Sequence, residues 1–212
     1  MPKYIGKQID LPVSKILHPH VFEVSAYGKY ELMAVVDPEQ KAEWNRIQEA
    51  IESVASEAFG ISKTEAREQF KNGTLKSPIQ PHKEKNPATG QKELTGEVVF
   101  TARQDKTKGG PLVVDASVNP IPPDRASEIY YGIFGVVVVF LMAWSANDND
   151  KGVTARINVL QKQRDAEGGG GRRQALNLLK AIPKADDAQS AVTSSGDAQV
   201  DAELDRLFSG AA

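Results

Sequence analysis

Residues 147–173 read NDNDKGVTARINVLQKQRDAEGGGGRR, and they follow the longest apolar run of the chain, residues 129–145. Together the two stretches predict a buried strand, a tight polar turn, a basic strand and a glycine loop. From residue 153 onward the side chains alternate, and a period of two is the signature of a half-buried strand. The apolar face is predicted to hold Val153, Ala155, Ile157 and Val159. The opposite face is predicted to hold Thr154, Arg156, Asn158, Lys162 and Arg164, interrupted by Leu160.

This second face carries three cations and no anion. A groove that follows a nucleic-acid backbone needs a row of cations of this kind. Taken alone, however, the strand is more simply interpreted as having a solvated outer face.

The composition of the chain is that of an ordinary globular protein. Its 212 residues are 40% hydrophobic and 25% charged, which suits one domain with additions. There is no cysteine, which excludes disulfides, thiolate zinc sites and cysteine nucleophiles. The first ten residues contain no apolar signal region.

Charge is distributed unevenly along the chain. The net charge of -2 does not by itself indicate a nucleic-acid partner. Residues 184–212 hold two cations and six anions, so 24 cations and 22 anions remain in residues 1–183. We therefore predict a slightly basic domain over residues 1–183 and a flexible, disordered acidic tail over residues 184–212. This asymmetry is typical of nucleic-acid binders and of interaction tails.

The first half of the chain predicts two strands and then two helices. A strand precedes the break at His18-Pro19-His20, a short extended piece surrounds Phe22, and a second strand covers residues 29–36. Asp37-Pro38 is predicted to start a helix that ends at Gly60. Ser62 and Glu65 are spaced as a capping box for a shorter helix that ends near residue 73.

The histidines invite a metal interpretation, which the spacing does not support. His18 and His20 are two residues apart, but His82 is the only other histidine, and no acidic partner lies at a useful spacing. A loop beside proline is the preferred interpretation, so no metal or cofactor is expected.

Residues 74–95 are predicted to be an exposed basic loop, because three prolines, a glycine and many charges cannot bury a core. An ordinary solvated loop and a basic arm over a nucleic-acid groove both fit. Residues 97–104 and 112–118 are predicted to be a third and a fourth strand, joined as a hairpin with a basic tip at residues 105–110. That tip lacks the glycine spacing of a phosphate-binding loop.

The uncharged stretch 129–147 is long enough to span a bilayer as a helix, but its valine run and glycines favour a strand. A straight strand of this length would measure roughly 55 Å, so we expect a bend or bulge at Gly132 or Gly135. Its aromatic residues either fill the core or form a stacking platform. No membrane association is expected.

The tail ends in a short amphipathic segment. Its apolar residues are Val200, Leu204, Leu207 and Phe208. This segment suits a peptide that binds a partner protein, and the acidic tail equally suits competition with nucleic acid for a basic groove. A frayed terminus is the simplest alternative.

These elements predict a mainly β fold with helical insertions, namely an OB-like five-stranded barrel with an early helix and an acidic tail. Such a barrel binds single strands through cations and aromatic rings. The candidate stacking residues are Tyr30, Tyr130, Phe134 and Trp144. The candidate phosphate-binding residues are Lys29, Arg103, Arg156, Lys162 and Arg164. Lys29 and Tyr30 point to opposite faces of their strand, so a regular strand cannot place both in one groove.

Several motifs also carry a family resemblance. They are Tyr130-Tyr131-Gly132, residues 147–153, residues 158–162, Arg164-Asp165 and the glycine run, with weaker matches at residues 20–23 and 28–30. With these motifs the chain resembles a family of bacteriophage-encoded single-stranded DNA-binding proteins with an OB-fold, formerly described as a domain of unknown function. The resemblance covers most of residues 10–173.

The resemblance implies cooperative coating of single-stranded DNA during phage replication or recombination, without catalysis and in the cytoplasm of the infected bacterial host. We also expect a homo-oligomer, and replication or recombination proteins that bind the apolar residues of the tail segment. Three features depart from the pattern: the apolar Val-Val-Val-Val run, the early helix, and a C-terminus that is not an acidic run closed by phenylalanine.

Two other function classes remain open at this point. A nuclease or hydrolase would need carboxylates for magnesium, and the candidates are Glu97, Asp105, Asp115, Asp148 and Asp150. A structural or scaffold protein of the phage particle would use the long apolar strand as an oligomer interface.

Overall fold

The structure is a computed structural model, and it describes residues 6–166. The described residues form eight strands and two α-helices. The strands are β1 (Gly6–Asp10), β2 (Ser14–His20), β3 (Lys29–Val35), β4 (Ile79–Lys85), β5 (Lys92–Asp105), β6 (Leu112–Val114), β7 (Phe134–Asn147) and β8 (Asp150–Arg164). The helices are α1 (Lys41–Phe59) and α2 (Lys63–Lys71). The predicted glycine connection, acidic tail and amphipathic segment lie outside the described residues.

The strands form one sheet in the order β4-β5-β3-β2-β7-β8-β6, with β1 also paired to β7. β1 pairs with residues 138–142 of β7 and β2 pairs with residues 134–135, so the two short strands follow one edge of β7. Counted as one, they complete a five-stranded OB-like barrel with β3, β5, β7 and β8, to which β4 and β6 are additions. The predicted fold class is confirmed.

The barrel closes incompletely between β5 and β8. These strands contact each other, but among the described residues no ladder joins them. The segment before β4 bridges the gap: Lys76 N donates to Lys151 O at 3.0 Å, and Val153 N donates to Lys76 O at 2.9 Å. This side of the barrel is therefore partly open, as it is in OB barrels generally.

The core lies inside the barrel and under α1. Alternate residues of β7 and β8 point inward and are buried, as are the apolar residues of α1. Trp44 of α1 packs against Phe100 of β5, with ring centroids 6.3 Å apart. Burying one such large side chain contributes about 1.5–3 kcal/mol. The side chains that are less than 2% exposed include Phe100, Ile47, Ile51, Leu141, Ile157 and Leu160.

The predicted helix signals are confirmed. Asp37 accepts a hydrogen bond from Glu39 N and starts a 3-10 turn that leads into α1. Gly60 ends α1 in the left-handed conformation with φ 67°, and Ser62 caps α2 by accepting from Glu65 N. Local hydrogen bonding thus sets the helix ends, as the sequence indicates.

The prediction that residues 74–95 form a loop is wrong. β4 and the start of β5 form a β-hairpin there, with a turn between Lys85 and Lys92. The charges lie on exposed faces of the hairpin, and Pro81 sits at a register irregularity of β4, the outermost strand in the sheet order. An edge strand tolerates proline because one of its sides needs no ladder.

The predicted hairpin between the third and fourth strands is also wrong. β6 covers only Leu112–Val114 and pairs in parallel with β8, not with β5. After the 3-10 turn Lys106–Lys108, Gly109 adopts φ 76° and the chain crosses to the free edge of β8. Covering that edge satisfies backbone groups that a hairpin with β5 would leave unpaired.

The long apolar run, which starts at residue 129, forms a strand that begins only at Phe134. Gly132 has φ 93°, and the β7–β8 register shifts between Phe134 and Gly135, so the predicted bend is confirmed. One face of β7 is buried and the other is half-buried, which explains why neither face carries a charge. No helix among the described residues is long and apolar enough to span a bilayer.

The predicted alternation along β8 fails after Ile157. Asn158 is an extra residue in the ladder with β7, and Gln163 is another. Each bulge reverses the side-chain direction beyond it. Leu160 is therefore fully buried and Val159 is not, while Lys162 is on the side opposite to Arg156.

Substitution at Gly152 should weaken the closure of the barrel. A Cβ atom there would overlap the backbone of Lys76, including its N atom at 2.7 Å. We expect Gly152→Ala to lower the free energy of unfolding in urea by about 1–3 kcal/mol, the usual cost of overpacking. Gly110→Ala is the control, because its Cβ would meet Val21 O at 3.4 Å. Equal stability of the two variants would contradict this account of the closure.

Candidate nucleic-acid interface

A groove lies along the open side of the barrel, between β5 and the turn that joins β7 to β8. It has a volume of about 460 Å³. We call it the β5–β8 groove. Its walls are formed by Lys29, Lys76, Ser77, Pro78, Gln80, Thr101, Arg103, Asp105, Trp144, Val153 and Thr154.

Strand register places the cations in this groove. Lys29 lies opposite Asp105, and Glu31 lies opposite Arg103, in the antiparallel ladder of β3 and β5. Directly opposed residues point to the same face of a sheet, and here that is the outer face. The residues between them, such as Ala102, are buried in the barrel.

Trp144 reaches the groove from the other wall. It is half-buried and lies opposite Gly152 in the β7–β8 ladder. Because glycine has no side chain, its position places no cross-strand partner against the indole ring. The other tryptophan, Trp44, is only 5% exposed and belongs to the core.

Two cations of the groove are available to an anionic ligand. No ion pair within 4.0 Å holds Lys29 or Lys76 among the described residues. Arg103 Nε lies 3.2 Å from Glu31 Oε2, which holds the guanidinium in place and offsets part of its charge. The groove therefore carries net positive charge.

The carboxylate of Asp105 has a structural role at one end of the groove. It accepts hydrogen bonds from Thr107 N at 2.9 Å and Thr107 Oγ1 at 2.8 Å. These bonds, aided by the charge of Lys29, hold the pKa of Asp105 below its ordinary value. Asp105 thus stays ionised and caps the 3-10 turn that leads out of β5.

A second groove continues along β8. We call it the Arg156 groove, and it is lined by Gln104, Lys108, Gly110, Pro111, Arg156, Ile157 and Asn158. The β5–β8 groove includes Thr154 and this one includes Arg156, so the two lie end to end on the same strand. The Arg156 guanidinium carbon lies 5.3 Å from the centre of the Phe140 ring. Lys108 and Arg156 extend the row of cations.

Four predicted site residues lie elsewhere, at the far end of the β7–β8 hairpin. Arg164 stacks on Phe134 with its guanidinium carbon 3.6 Å from the ring centre. Lys162 Nζ lies 5.7 Å from the ring centre of Tyr130 and 2.6 Å from the Asp165 carboxylate. Phe134 is ten residues from Trp144, which is a path of roughly 33 Å along β7, so this cluster does not share a site with the indole ring.

Tyr30 belongs to neither groove. It is half-buried and lies 3.5 Å from the position that a Cβ atom of Gly110 would occupy. It occupies the face of β3 opposite to Lys29, as the alternation predicts. The structure thus places Lys29, Arg103, Trp144 and Arg156 along the two grooves. Tyr130, Phe134, Lys162 and Arg164 lie at the far end of the β7–β8 hairpin, and Tyr30 lies beside Gly110 without lining either groove.

Sequence reasoning missed two cations of the grooves. The sequence places Lys76 in a loop that is either solvated or a basic arm over a nucleic-acid groove, whereas its backbone pairs with β8. Lys108 was assigned to a hairpin tip, although it faces Arg156 across the second groove. The signal for Lys108 was the basic turn itself. No sequence signal indicated that Lys76 pairs with β8, because its partners lie about 75 residues away in the sequence.

The carboxylates considered for magnesium do not meet. Asp115 accepts hydrogen bonds from Asn119 and Ser117, which hold its pKa below the ordinary value, and Glu97 lies beside Lys15 and His82. Among the described residues, the one group of three potential metal ligands is His18, His82 and Glu84, and none of these lines either groove.

Comparison with known proteins identifies the family. The sequence model described as "Enterobacter phage Enc34, ssDNA-binding protein" matches residues 3–189. The chain belongs to this family. The resemblance inferred from the sequence is therefore confirmed. Among curated proteins, none matches the chain in sequence.

Solved structures of single-stranded DNA-binding proteins share the fold. The protein from bacteriophage Enc34 is 20% identical with a TM-score of 0.55, over 76% of this chain and 82% of that one. The structure of the Enc34 protein in complex with single-stranded DNA is 20% identical with a TM-score of 0.54, and the match covers 76% of this chain and 88% of that chain. The single-stranded DNA-binding protein gp2.5 of bacteriophage T7 is 13% identical with a TM-score of 0.53, and the match covers 90% of this chain and 100% of that chain.

The charge of the β5–β8 groove can be tested without DNA. In the variant Trp44→Phe, Trp144 is the remaining indole. We expect iodide to quench the fluorescence of Trp144 more strongly than caesium does, because nearby cations concentrate the anion. Adding Lys29→Ala and Lys76→Ala should lower the ratio of iodide to caesium quenching. Trp144→Phe is the control, since buried Trp44 should resist both ions. Equal quenching of Trp144 by the two ions would contradict a positively charged groove.

Proposed function

We propose that this protein binds single-stranded DNA without sequence preference, along the β5–β8 groove and the Arg156 groove, and coats the strand during phage replication or recombination. The observation that carries the proposal is the row of five cations beside one accessible indole ring, on the open side of an OB barrel. The cations are Lys29, Lys76, Arg103, Lys108 and Arg156. The faces of the second and third OB strands, which β3 and β5 represent here, are the usual oligonucleotide surface of this fold.

The groove favours a single strand over a duplex for a physical reason. Cations bind phosphates of either form, but Trp144 stacks only on a base that is free of its neighbours and its partner. Base-on-aromatic stacking contributes about 1–3 kcal/mol per base. A duplex would gain only the charge term, and that term weakens steeply with salt.

The floor of the groove supports sequence tolerance. The Gln80 side-chain amide donates to Thr101 Oγ1 at 3.1 Å. This bond engages one N–H of Gln80 and one lone pair of Thr101, so a base edge would have to displace it to use those two groups. Recognition then rests on phosphate charge and on the π-face that all bases share.

We propose that the protein acts without catalysis and in the cytoplasm of the infected host. Asp105 and Asp115 have structural roles in turns, and coating a strand needs no chemical step. The scaffold alternative is not favoured, because both edges of the apolar strand β7 are already paired, with β1 and β2 on one side and β8 on the other.

Titration of labelled oligo-dT and a matched duplex at two salt concentrations tests DNA binding. We expect oligo-dT to bind more tightly than duplex, with affinity that falls as salt rises and with quenching of Trp144 fluorescence. Sigmoidal binding to longer strands would support cooperative coating by a homo-oligomer. Absence of binding to either DNA at low salt, in the full chain and without the tail, would reject the proposal.

A series of cation variants tests the location of the site. Lys29→Ala, Lys76→Ala and Arg156→Ala should each reduce the salt slope of oligo-dT binding by about 0.7. Lys41→Ala, at the exposed start of α1, is the matched control and should leave the slope unchanged. Arg164→Ala should have a smaller effect, because its guanidinium is stacked on Phe134. A larger loss with Arg164→Ala than with the groove variants would move the site to the far end of β8.

The acidic tail, residues 184–212, is proposed to compete with DNA for the cationic grooves and to recruit replication or recombination proteins through Val200, Leu204, Leu207 and Phe208. Removing residues 185–212 deletes six anions and should strengthen oligo-dT binding at low salt, with a smaller gain at high salt because screening weakens the competition. Unchanged affinity at both salt concentrations would contradict the competition.

A further inference from the structure

Three side chains that the proposed function does not use converge on one point. His18 of β2 and His82 and Glu84 of β4 offer ligand atoms that all lie within 4.8 Å of one another. In the sequence His18 and Glu84 are 66 residues apart, so their spacing gave no hint of a shared site. The second half of the β4–β5 hairpin, beyond the part that pairs with β3, brings β4 to β2.

His82 is the most informative member of this group. It is 2% exposed, and its Nε2 atom is buried without a hydrogen-bond partner. Its other ring nitrogen has two polar partners, because Nδ1 lies 3.2 Å from Thr95 Oγ1 and 3.4 Å from Glu97 Oε2. The Thr95 hydroxyl donates to the His82 carbonyl oxygen, so its oxygen is free to accept a proton from Nδ1.

These contacts favour one tautomer of the neutral His82 ring. Glu97 and Thr95 both accept at Nδ1, so the neutral ring holds its proton there and presents a lone pair at Nε2. That lone pair faces Glu84, whose Oε1 atom lies 3.9 Å from Nε2. A lone pair on a buried nitrogen that faces a carboxylate oxygen calls for a cation between the two atoms; here His82 is buried and Glu84 is exposed.

The arrangement around the ligands is also that of a metal site. A histidine that binds a metal almost always donates its other ring N–H to a carboxylate, carbonyl or water, as His82 does towards Glu97. Glu84 is held by a hydrogen bond from the Tyr131 hydroxyl at 3.0 Å, and the Tyr131 ring packs edge-on against His18 at 5.3 Å. Every ligand is thus oriented by a neighbour.

We propose that His18, His82 and Glu84 bind a zinc ion that fastens the β4–β5 hairpin to β2. Two imidazoles and one carboxylate are a standard three-residue donor set for zinc, with a fourth position left for water. Ligand atoms around tetrahedral zinc are roughly 3.3 Å apart, given metal–ligand distances of about 2.0–2.1 Å. The ligand atoms lie within 4.8 Å of one another here, so zinc binding would require the exposed side chains of His18 and Glu84 to rotate towards buried His82.

Zinc titration of the full chain, prepared without a histidine tag, tests the proposal. We expect one zinc ion per chain by calorimetry with metal analysis, and visible absorption bands of tetrahedral cobalt when Co²⁺ replaces Zn²⁺. His18→Ala and Glu84→Gln should each weaken binding about tenfold or more. Both residues are exposed, so these variants retain the fold, which circular dichroism checks. Zinc should also raise the melting temperature of the wild type and not of Glu84→Gln.

His20→Ala is the matched control, because His20 is exposed and is the only remaining histidine. It should bind zinc as the wild type does. Three results would overturn the proposal: no zinc bound by the wild type at 100-fold excess over protein, equal weakening by His20→Ala and His18→Ala, or full binding by Glu84→Gln. Equal weakening by the two variants would mean that zinc binds only the exposed histidine pair of β2, and no binding by the wild type would mean that His18, His82 and Glu84 do not form a metal site.

Discussion

The ladder between β7 and β8 is the constraint on which the rest of the structure depends. Its inward side chains are buried, among them Val139, Leu141, Ala155 and Ile157. Three strands pair with it directly: β1 and β2 along the outer edge of β7, and β6 along the outer edge of β8, while β3 joins the sheet through β2. Close backbone approach matters too, because a Cβ at Gly135 would lie 2.7 Å from Gln161 O. The apolar run is thus packed and paired within the fold.

The β7–β8 hairpin also creates the proposed DNA site, because among the described residues no ladder joins β8 to β5. β8 has β7 and β6 as ladder partners, although β5 and β8 contact each other and Lys76 bridges to Gly152 of β8. The gap that remains is the β5–β8 groove, and its walls are strands whose inner faces are fixed by the core. Trp144 and Arg103 are therefore held in position before any ligand arrives, which reduces the entropy that binding must overcome. Rigid strands and an open seam together suit a binding surface more than a catalytic one.

Local patterns predicted most of the elements, and long-range pairing explains most of the failures. Alternation predicted β3 and the start of β8, the valine run predicted β7, and capping residues such as Asp37 and Ser62 predicted the helix starts. Strand parity correctly put Lys29, Arg103 and Arg156 on outer faces. The bulge at Asn158 has no local signature, so the direction of Lys162 was mispredicted. The β4–β5 hairpin was hidden by its charges and prolines, and with it the meeting of His18 with β4.

Hydrogen–deuterium exchange with and without oligo-dT tests most directly whether the open seam of the barrel is the binding surface. The account predicts that DNA slows exchange in the second half of β5, at Lys76 and around the β7–β8 turn near Trp144. The outer residues of the β4–β5 hairpin, in the 83–94 range, should exchange at an unchanged rate. Protection confined to Phe134 and Arg164, with none around Trp144, would contradict it.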